Sequence, residues 1–529
     1  MKQTCFLWFS GKVRKGGKYM KKLISMLLAV VMVVGLFSAC GGNAEESASG
    51  AQAEGAKRDD VVIGVNLSMN SLDPMHALQR AEQEILANVQ DNLLALVDGA
   101  YVGRLAEEFS VSEDGMQITV KLREGVKFHN GDELTTEDVA YTFDALKEST
   151  LYANDATYYS HTEIIDDYNC VLHAAVQTPL FMLTLCNVNL ISEKAVNELG
   201  ADYAMNPVGT GAYKFVSYDG FNNVVLEANE EYWDGAPEMK KITYRIFTDD
   251  QTMTMALEAG EVDIISMLNP TSAMQFEGNS KYNVTWKESD GVSLLLFNVN
   301  CEPFNIKEVR QAISYAIDRE SINLIVGEGK CKVTDAFYTE RMAAAPDYED
   351  LPHYEFDLEK AKELMTAAGY ADGFTLEEPV RILASEEKMT VALQEQLSEI
   401  GINFTIEILE SNTLFNNYLF VNNYNMMPFG LSTETYDMGY VTQFYDMNSS
   451  MPNMTGYENP TFSELVIQAN ESSSVEERKA LYTEMWTIAA EDLPICPIMA
   501  DMSAEVSNSN LVNDDAVYVE LHGVNLHWK

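Results

Sequence analysis

Residues 122–139 read LREGVKFHNGDELTTEDV and combine two turns, a short strand and the start of a helix. Glu124-Gly125 and Asn130-Gly131 indicate turns, because glycine tolerates the positive φ that tight turns need. Thr135 is placed to cap a helix, and Leu134 and Val139 have the spacing of a hydrophobic staple. We therefore predict a strand between two turns, followed by a helix that runs to about Lys147.

Strands and helices alternate on both sides of this stretch. Runs rich in β-branched and aromatic residues predict strands at Val61–Leu67, Gln117–Leu122, Asn223–Ala228, Ile242–Phe247, Ser293–Val299 and Asn403–Leu409. The predicted helices are Ile306–Ile322, a helix capped by Asp357 that ends at Gly369, and Thr390–Ile400. The alternation predicts an α/β protein, and the absence of a fixed-period repeat in the sequence disfavours solenoids and propellers.

Composition and charge exclude several classes of protein. The chain has 529 residues, of which 47% are hydrophobic, as expected of a globular protein with a large core. Residues 1–39 contain seven basic and no acidic residues, so the remaining 28 basic and 81 acidic residues give the rest of the chain a formal charge of −53. A body this acidic repels phosphate backbones, and we expect no nucleic-acid partner.

No catalytic constellation stands out in the sequence. Motifs such as GxSxG, HExxH, GxxxxGK[ST] and a strand-to-helix GxGxxG are missing. The seven histidines stand apart, and His522 with His527 make only a weak metal pair. We predict a protein that is not an enzyme and that carries no cofactor and no metal.

The amino-terminal segment indicates export. An almost uninterrupted apolar run, Leu23–Ala39, follows Lys21-Lys22, which is typical of a secretory signal; a permanent transmembrane helix is the alternative. Leu36-Phe37-Ser38-Ala39-Cys40 resembles the lipobox of bacterial lipoproteins, in which the cysteine is acylated, although that family prefers leucine where Phe37 stands. We predict a signal peptide over residues 1–39, with Met20 as an alternative start, lipidation of Cys40 and a flexible tether over residues 40–60.

Five cysteines follow Cys40, and they form no CxxC pair. A disulfide between Cys170 and Cys186 is one alternative. We favour free thiols, because a core of this size does not need a covalent link.

Several motifs in collinear order resemble the signature of family 5 extracellular solute-binding proteins, the oligopeptide-, dipeptide- and nickel-binding subunits of ABC importers. They include Leu105-Ala106-Glu107, the 122–139 stretch, Pro207-Val208-Gly209-Thr210-Gly211-Ala212-Tyr213, Ala256–Ile264, Phe297-Asn298 and Ala316-Ile317-Asp318-Arg319. The resemblance covers about residues 60–529. It implies a two-lobed periplasmic-binding-protein-like fold of type II, a Venus flytrap with an extra inserted domain.

The resemblance also implies a division of the chain. Lobe I would comprise residues 60–97, 206–285 and 500–529, lobe II residues 286–499, and the inserted subdomain residues 98–205. The ligand would lie between the lobes, and the crossings between them would be hinges.

The implied function is capture of peptides by an extracytoplasmic lipoprotein, a monomer that delivers them to ABC permease subunits driven by a separate ATPase. The protein would be anchored to the outer face of the cell membrane, in the periplasmic space if the cell has an outer membrane. A receptor for a nickel chelate or another small solute is the alternative, and a surface-anchored hydrolase is a third hypothesis.

The predicted ligand contacts come from two loops. Peptide-binding relatives neutralise the peptide amino terminus with a carboxylate, and the corresponding loop of this chain offers Glu434, Tyr436 and Asp437. The histidine that contacts metal in nickel-type relatives has no counterpart here, which disfavours nickel. The turn after the first strand adds Asn70 and Ser71, because open α/β sheets present ligand contacts at the carboxyl ends of their strands.

Overall fold

A computed structural model describes residues 58–67, 69–97, 100–149, 151–152, 155–339, 342–432, 437–449, 452–472, 474–514 and 521–529. The predicted signal peptide, Cys40 and most of the tether lie outside these residues, and so do Glu434 and Tyr436.

The described residues form strands in the following order: β1 Asp60–Asn66, β2 Leu94–Val97, β3 Ala100–Gly103, β4 Ala106–Val111, β5 Gln117–Leu122, β6 Tyr159–Ile164, β7 Asn169–Ala174, β8 Tyr213–Tyr218, β9 Asn223–Ala228, β10 Lys241–Phe247, β11 Ile264–Leu268, β12 Tyr282–Phe297, β13 Lys332–Val333, β14 Phe374–Thr375, β15 Val380–Ile382, β16 Ile402–Asn403, β17 Ile406–Ile408, β18 Met426–Ser432, β19 Ile495–Asn508, β20 Leu511–Asn513 and β21 Leu526–Trp528.

The α-helices among the described residues are Arg80–Val89, Thr136–Ala145, Asp155–Tyr158, Leu180–Asn187, Glu193–Leu199, Asp250–Glu258, Pro270–Ala273, Lys307–Ala316, Arg319–Val326, Leu358–Ala367, Glu387–Ser398, Ser411–Leu414, Met438–Thr442, Pro460–Glu471 and Val475–Asp492. A π-helical turn, Phe415–Leu419, follows the helix Ser411–Leu414. None of these helices combines the length and the apolar character needed to cross a membrane.

One nine-stranded sheet organises the body of the protein. Its strand order is β18-β12-β19-β11-β1-β10-β9-β8, and β13 joins it by pairing with β19. A separate four-stranded antiparallel sheet has the order β4-β5-β7-β6. The long strands β12 and β19 therefore connect the two ends of the large sheet.

Apolar side chains cover both faces of the large sheet at each end. At the β18 end, alternate residues of β12 enter two cores, with Leu294 on one face and Leu295 on the other. At the β10 end, Ile264 and Ile265 of β11 likewise belong to two different cores, one on each face of the sheet. A further core surrounds the four-stranded sheet and includes Val120 and Phe143. The predicted boundaries of the two lobes and of the inserted subdomain stay predictions.

The structure confirms the two turns and the helix start predicted for residues 122–139, whereas the predicted strand between the turns is wrong, because Lys127 forms only an isolated bridge with Glu133. Gly125 and Gly131 adopt φ values of 77° and 92°, as the two turns require. Thr135 caps the helix Thr136–Ala145, in a capping box with Asp138. The helix continues as a 3₁₀ turn to Glu148, close to the predicted end.

Two predicted elements are wrong in extent. The predicted helix Ile306–Ile322 is two helices, because Asp318 leaves the helical conformation and accepts a hydrogen bond from the Ser321 amide to start the second one. The predicted strand Asn403–Leu409 is divided into β16 and β17, which pair with different partners, β14 and β15.

The five cysteines after Cys40 are free thiols, so the Cys170–Cys186 disulfide is not formed. Cys170 and Cys496 are buried and the other three are partly exposed. The preference for free thiols is confirmed.

Candidate functional site

The strands β12 and β19 change their register where the two ends of the large sheet meet. Tyr282–Glu288 pairs with residues 502–508, and the regular pairing resumes at Val292 opposite Ala500. We call residues 289–293 of β12 and 499–502 of β19 the junction. A β-bulge bends and twists its strand locally, so the pairing of β12 with β19 is locally irregular at the junction.

A buried ion pair joins β12 and β19 on the β11 side of the junction. Lys287 Nζ lies 2.8 Å from Glu505 Oε2, and the two side chains are 3% and 4% exposed. Asn513 also donates a hydrogen bond to Glu505. The pair links the long strands in a region that is largely closed to solvent.

Asp437, a predicted ligand contact, is buried with both carboxylate oxygens occupied. Its Oδ2 accepts a hydrogen bond from Arg478 Nη1 at 3.0 Å, and its Oδ1 accepts one from the Gly439 amide at 2.8 Å. Burial raises the pKa of Asp437, although the Arg478 guanidinium opposes that shift. In this arrangement Asp437 caps the helix Met438–Thr442. A direct contact of Glu434, Tyr436 or Asp437 with ligand stays a prediction.

The predicted residues at the end of the first strand are held by a carboxylate that the sequence analysis missed. The backbone amides of Asn70 and Ser71 both donate to Glu82 Oε1, at 2.6 and 3.0 Å. Asn70 is exposed, whereas Ser71 and Glu82 are buried. Glu82 lies in the first turn of the helix Arg80–Val89. It therefore fixes the course of this turn, and a role of Asn70 and Ser71 in ligand binding stays a prediction.

Residues from the predicted inserted subdomain contact the segment around Asp437. Burial raises the pKa of Tyr101 on β3, and the negative charge of Asp437 raises it further. Gln443 donates to the Tyr158 hydroxyl at 3.2 Å. A Cβ atom on Gly439 would lie 3.2 Å from Leu180, so the helices of the two segments approach closely.

An acidic group at the junction was not predicted from the sequence. Asp501 of β19 accepts a hydrogen bond from Ser293 Oγ of β12 at 2.9 Å. Glu386, directly before the helix Glu387–Ser398, lies above Gly430, the residue opposite Ser293 on β18. Burial raises the pKa of both carboxyls, and the charge of Asp501 adds to the shift of Glu386. These residues are far apart in sequence and lie in no motif, so only the strand pairing reveals the group.

A small open pocket of about 50 Å³ also borders the junction. Its lining residues are Glu288, Lys332, Val333, Thr334, Tyr338, Tyr348 and Ala500. A pocket of this size is too small to hold a peptide, since ligand pockets typically measure about 300–1,000 Å³. Among the described residues no group of three or more His, Cys, Asp or Glu side chains is arranged to hold a metal ion.

Comparisons with known proteins agree on one family. The sequence profile described as "Bacterial extracellular solute-binding proteins, family 5 Middle" matches residues 100–453. The oligopeptide-binding protein AppA of Bacillus subtilis is 26% identical over 508 residues, which cover 90% of this chain and 92% of AppA. The glutathione-binding protein GsiB of Salmonella paratyphi A is 26% identical over 472 residues, which cover 85% of this chain and 91% of GsiB.

The solved structures give the same result for the fold. The ABC transporter substrate-binding protein CtaP of Listeria monocytogenes superposes with a TM-score of 0.80 at 26% identity, covering 89% of this chain and all of CtaP. This likeness confirms the predicted two-lobed α/β fold, and the profile match confirms the predicted family. The chain belongs to the family 5 bacterial extracellular solute-binding proteins.

Proposed function

We propose that this protein is an extracytoplasmic receptor that captures peptides between its two lobes and delivers them to the permease of an ABC importer. The observation that carries the proposal is the end-to-end likeness to an oligopeptide-binding protein, which extends over 92% of that relative. The likeness to a glutathione-binding protein also supports a peptide ligand, because glutathione is itself a short peptide. The protein binds and releases its ligand without turnover, and a separate ATPase drives transport.

The geometry at the junction suits such a receptor. Binding proteins of this kind work by closing one lobe on the other around the ligand, which requires a region that bends. The irregular register between Glu288 and Val292, where residues 289–291 of β12 face only residue 501 of β19, supports a hinge at this place. Ligand contacts from both sides of the junction would then stabilise the closed arrangement relative to the open one.

Native mass spectrometry of residues 41–529 with a pool of di- to hexapeptides tests the proposal. We expect selected peptide masses, and we expect acetylation of the peptide amino groups to weaken their retention. Glu434→Gln should weaken retention about 10- to 100-fold, because a charge-assisted hydrogen bond to the peptide amino terminus is lost. Glu387→Gln, which removes the charge of an exposed glutamate, is the matched control. Retention of a nickel chelate instead of peptides would favour the alternative receptor.

We further propose that a lipid on Cys40 anchors the protein to the outer face of the membrane. The apolar run before Cys40 and the polar segment after it support this assignment. Cys40→Ser should release the protein from membranes into the soluble fraction. Attachment that is unchanged in this variant would contradict the anchor, and the peptide-binding proposal would be unaffected.

A further inference from the structure

The strands β6 and β7 bring two histidines together on the four-stranded sheet. His161 of β6 lies directly opposite His173 of β7. Their imidazole rings are stacked, with the ring centroids 4.3 Å apart and the ring planes inclined by 6°. The seven histidines of the chain stand apart in sequence, and only the pairing of β6 with β7 makes neighbours of these two.

A β-bulge places His161 in this position. The register between β6 and β7 shifts directly before His161, which makes Ser160 the extra residue of the bulge. With regular pairing, Ser160 would lie opposite His173, and His161 would lie opposite the buried Leu172, on the other face of the sheet. Bulges of this kind redirect side chains and are frequent beside functional sites. The irregular backbone therefore serves to pair the two imidazoles on one face.

One nitrogen of each imidazole ring is held by a neighbouring side chain. Ser160 Oγ lies 3.1 Å from His161 Nδ1, and Glu163 Oε2 lies 3.3 Å from His173 Nε2. Among the described residues, no further group bonds to Nε2 of His161 or Nδ1 of His173. A histidine that binds a metal through one nitrogen characteristically uses the other to contact a carboxylate or a similar group, which fixes its ring. The pair already has these outer contacts.

The pair is open to solvent. His161 and Glu163 are exposed, and the His173 side chain is 20% exposed. Gln117 and Thr119 of the next strand, β5, are exposed as well, so nothing on that strand covers the site. Side-chain rotation on this open face can bring one nitrogen of each ring to the usual metal distance of about 2.0–2.1 Å. The acidic body of the protein also attracts cations.

The two imidazoles select the class of ion. Imidazole nitrogen suits Zn²⁺, Cu²⁺ and Ni²⁺, whereas Ca²⁺ and Mg²⁺ prefer oxygen ligands. No third His, Cys, Asp or Glu ligand completes the site in the part of the chain that the structure describes. Water would fill the remaining coordination positions, so the ion would exchange readily, unlike a structural zinc with four protein ligands.

We propose that His161 and His173 form a surface site for one divalent transition-metal ion, Zn²⁺, Cu²⁺ or Ni²⁺, with Glu163 orienting His173. The inference goes beyond the proposed receptor function and does not depend on it. The bound ion joins β6 to β7 on the open face of the four-stranded sheet.

Isothermal titration of residues 41–529 with Zn²⁺ tests the site, on protein purified without a histidine tag and stripped of metal. His161→Gln and His173→Gln should each weaken Zn²⁺ binding at least about tenfold, because loss of a ligand costs at least as much as loss of an outer contact. Glu163→Gln should weaken it by a smaller factor, since the glutamine oxygen still accepts from His173. Circular dichroism confirms that the variants are folded.

A matched control comes from the carboxyl-terminal histidines. His527 also contacts a carboxylate, with its Nδ1 3.1 Å from Asp514 Oδ2, and its side chain is partly exposed. His527→Gln should leave Zn²⁺ binding unchanged. In the electron paramagnetic resonance spectrum of the Cu²⁺ form, we expect couplings to two imidazole nitrogens, and to one in either His161→Gln or His173→Gln.

The outcomes decide the proposal. The site is overturned if the unmodified protein binds no Zn²⁺, or if the double variant His161→Gln, His173→Gln binds it with unchanged affinity. A loss of affinity in His527→Gln but not in His161→Gln would place the ion at the carboxyl-terminal histidines and would also overturn it. Peptide retention enters none of these results, so failure of the metal site leaves the receptor function intact.

Discussion

Replacing Arg478 by methionine should strongly destabilise the half of the protein built around the helix Val475–Asp492. Arg478 Nη1 lies 3.0 Å from Asp437 Oδ2, and the side chains of Arg478 and Asp437 are 5% and 0% exposed. The Arg478→Met variant leaves the Asp437 carboxylate buried without its cation, which costs about 3–5 kcal/mol of unfolding free energy. By contrast, Lys121→Met, which removes one member of an exposed ion pair with Glu107, should cause no measurable change.

Urea unfolding followed by tryptophan fluorescence measures this effect, because Trp486 is buried on the same helix as Arg478. The double variant Arg478→Met, Asp437→Asn should be more stable than Arg478→Met alone, since no buried charge remains and the asparagine oxygen can still accept from Gly439. The loss in Arg478→Met should also shrink as the pH falls towards 4, because protonation neutralises Asp437. A loss below about 1 kcal/mol at pH 7, or strictly additive effects in the double variant, would refute the reasoning.

Three further predictions concern the junction and a close backbone contact. Asp501→Asn should raise the urea midpoint of unfolding at pH 7. Burial raises the pKa of Asp501 above its usual 3.8, so the charged carboxylate destabilises the fold at neutral pH. The stability gained by the variant should therefore fade on titration down to pH 4, where the carboxyl takes up a proton. Lys287→Met should lower the unfolding free energy by about 3–5 kcal/mol, because Glu505 loses its buried cation, and a simultaneous Glu505→Gln should recover part of the loss in the same urea titration. Gly211→Ala should cost about 1–3 kcal/mol in thermal unfolding, since the added Cβ would lie 2.5 Å from the carbonyl carbon of Val89; an unchanged melting temperature would contradict this contact.

Local chemistry made much of the secondary structure predictable. The turns at Gly125 and Gly131 and the cap at Thr135 depend on residues that are neighbours in sequence, and each has the predicted conformation. The predicted helix Ile306–Ile322 was wrong for a related reason. Its apolar period continues across Asp318, whereas the Asp318 side chain starts a second helix there. Hydrophobic periodicity reports which face is buried, and it does not report where the backbone changes direction.

The candidate site was predictable only in part. The loop with Asp437 was identified through family resemblance. The two groups that donate to the Asp437 carboxylate, the Gly439 amide and Arg478, became known only from the structure. Arg478 follows Asp437 by 41 positions, and no spacing rule connects them. Asp501 and Glu386 were missed altogether, because in a chain with 81 acidic residues no single carboxylate is conspicuous.

The sequence by itself determined the family, the α/β class and the turns and caps, whereas lipid attachment at Cys40 stays a prediction. These properties depend on residues close together in the chain or on motifs in collinear order. The tertiary structure alone decided which charges are neutralised and which are not. Ser293 of β12 pairs with Gly430 of β18 on one side and donates a hydrogen bond to Asp501 of β19 on the other. This strand order brings the acidic group together. Strand register joins residues from distant parts of the chain, and burial then determines whether a carboxylate is hydrated, paired or available to a ligand.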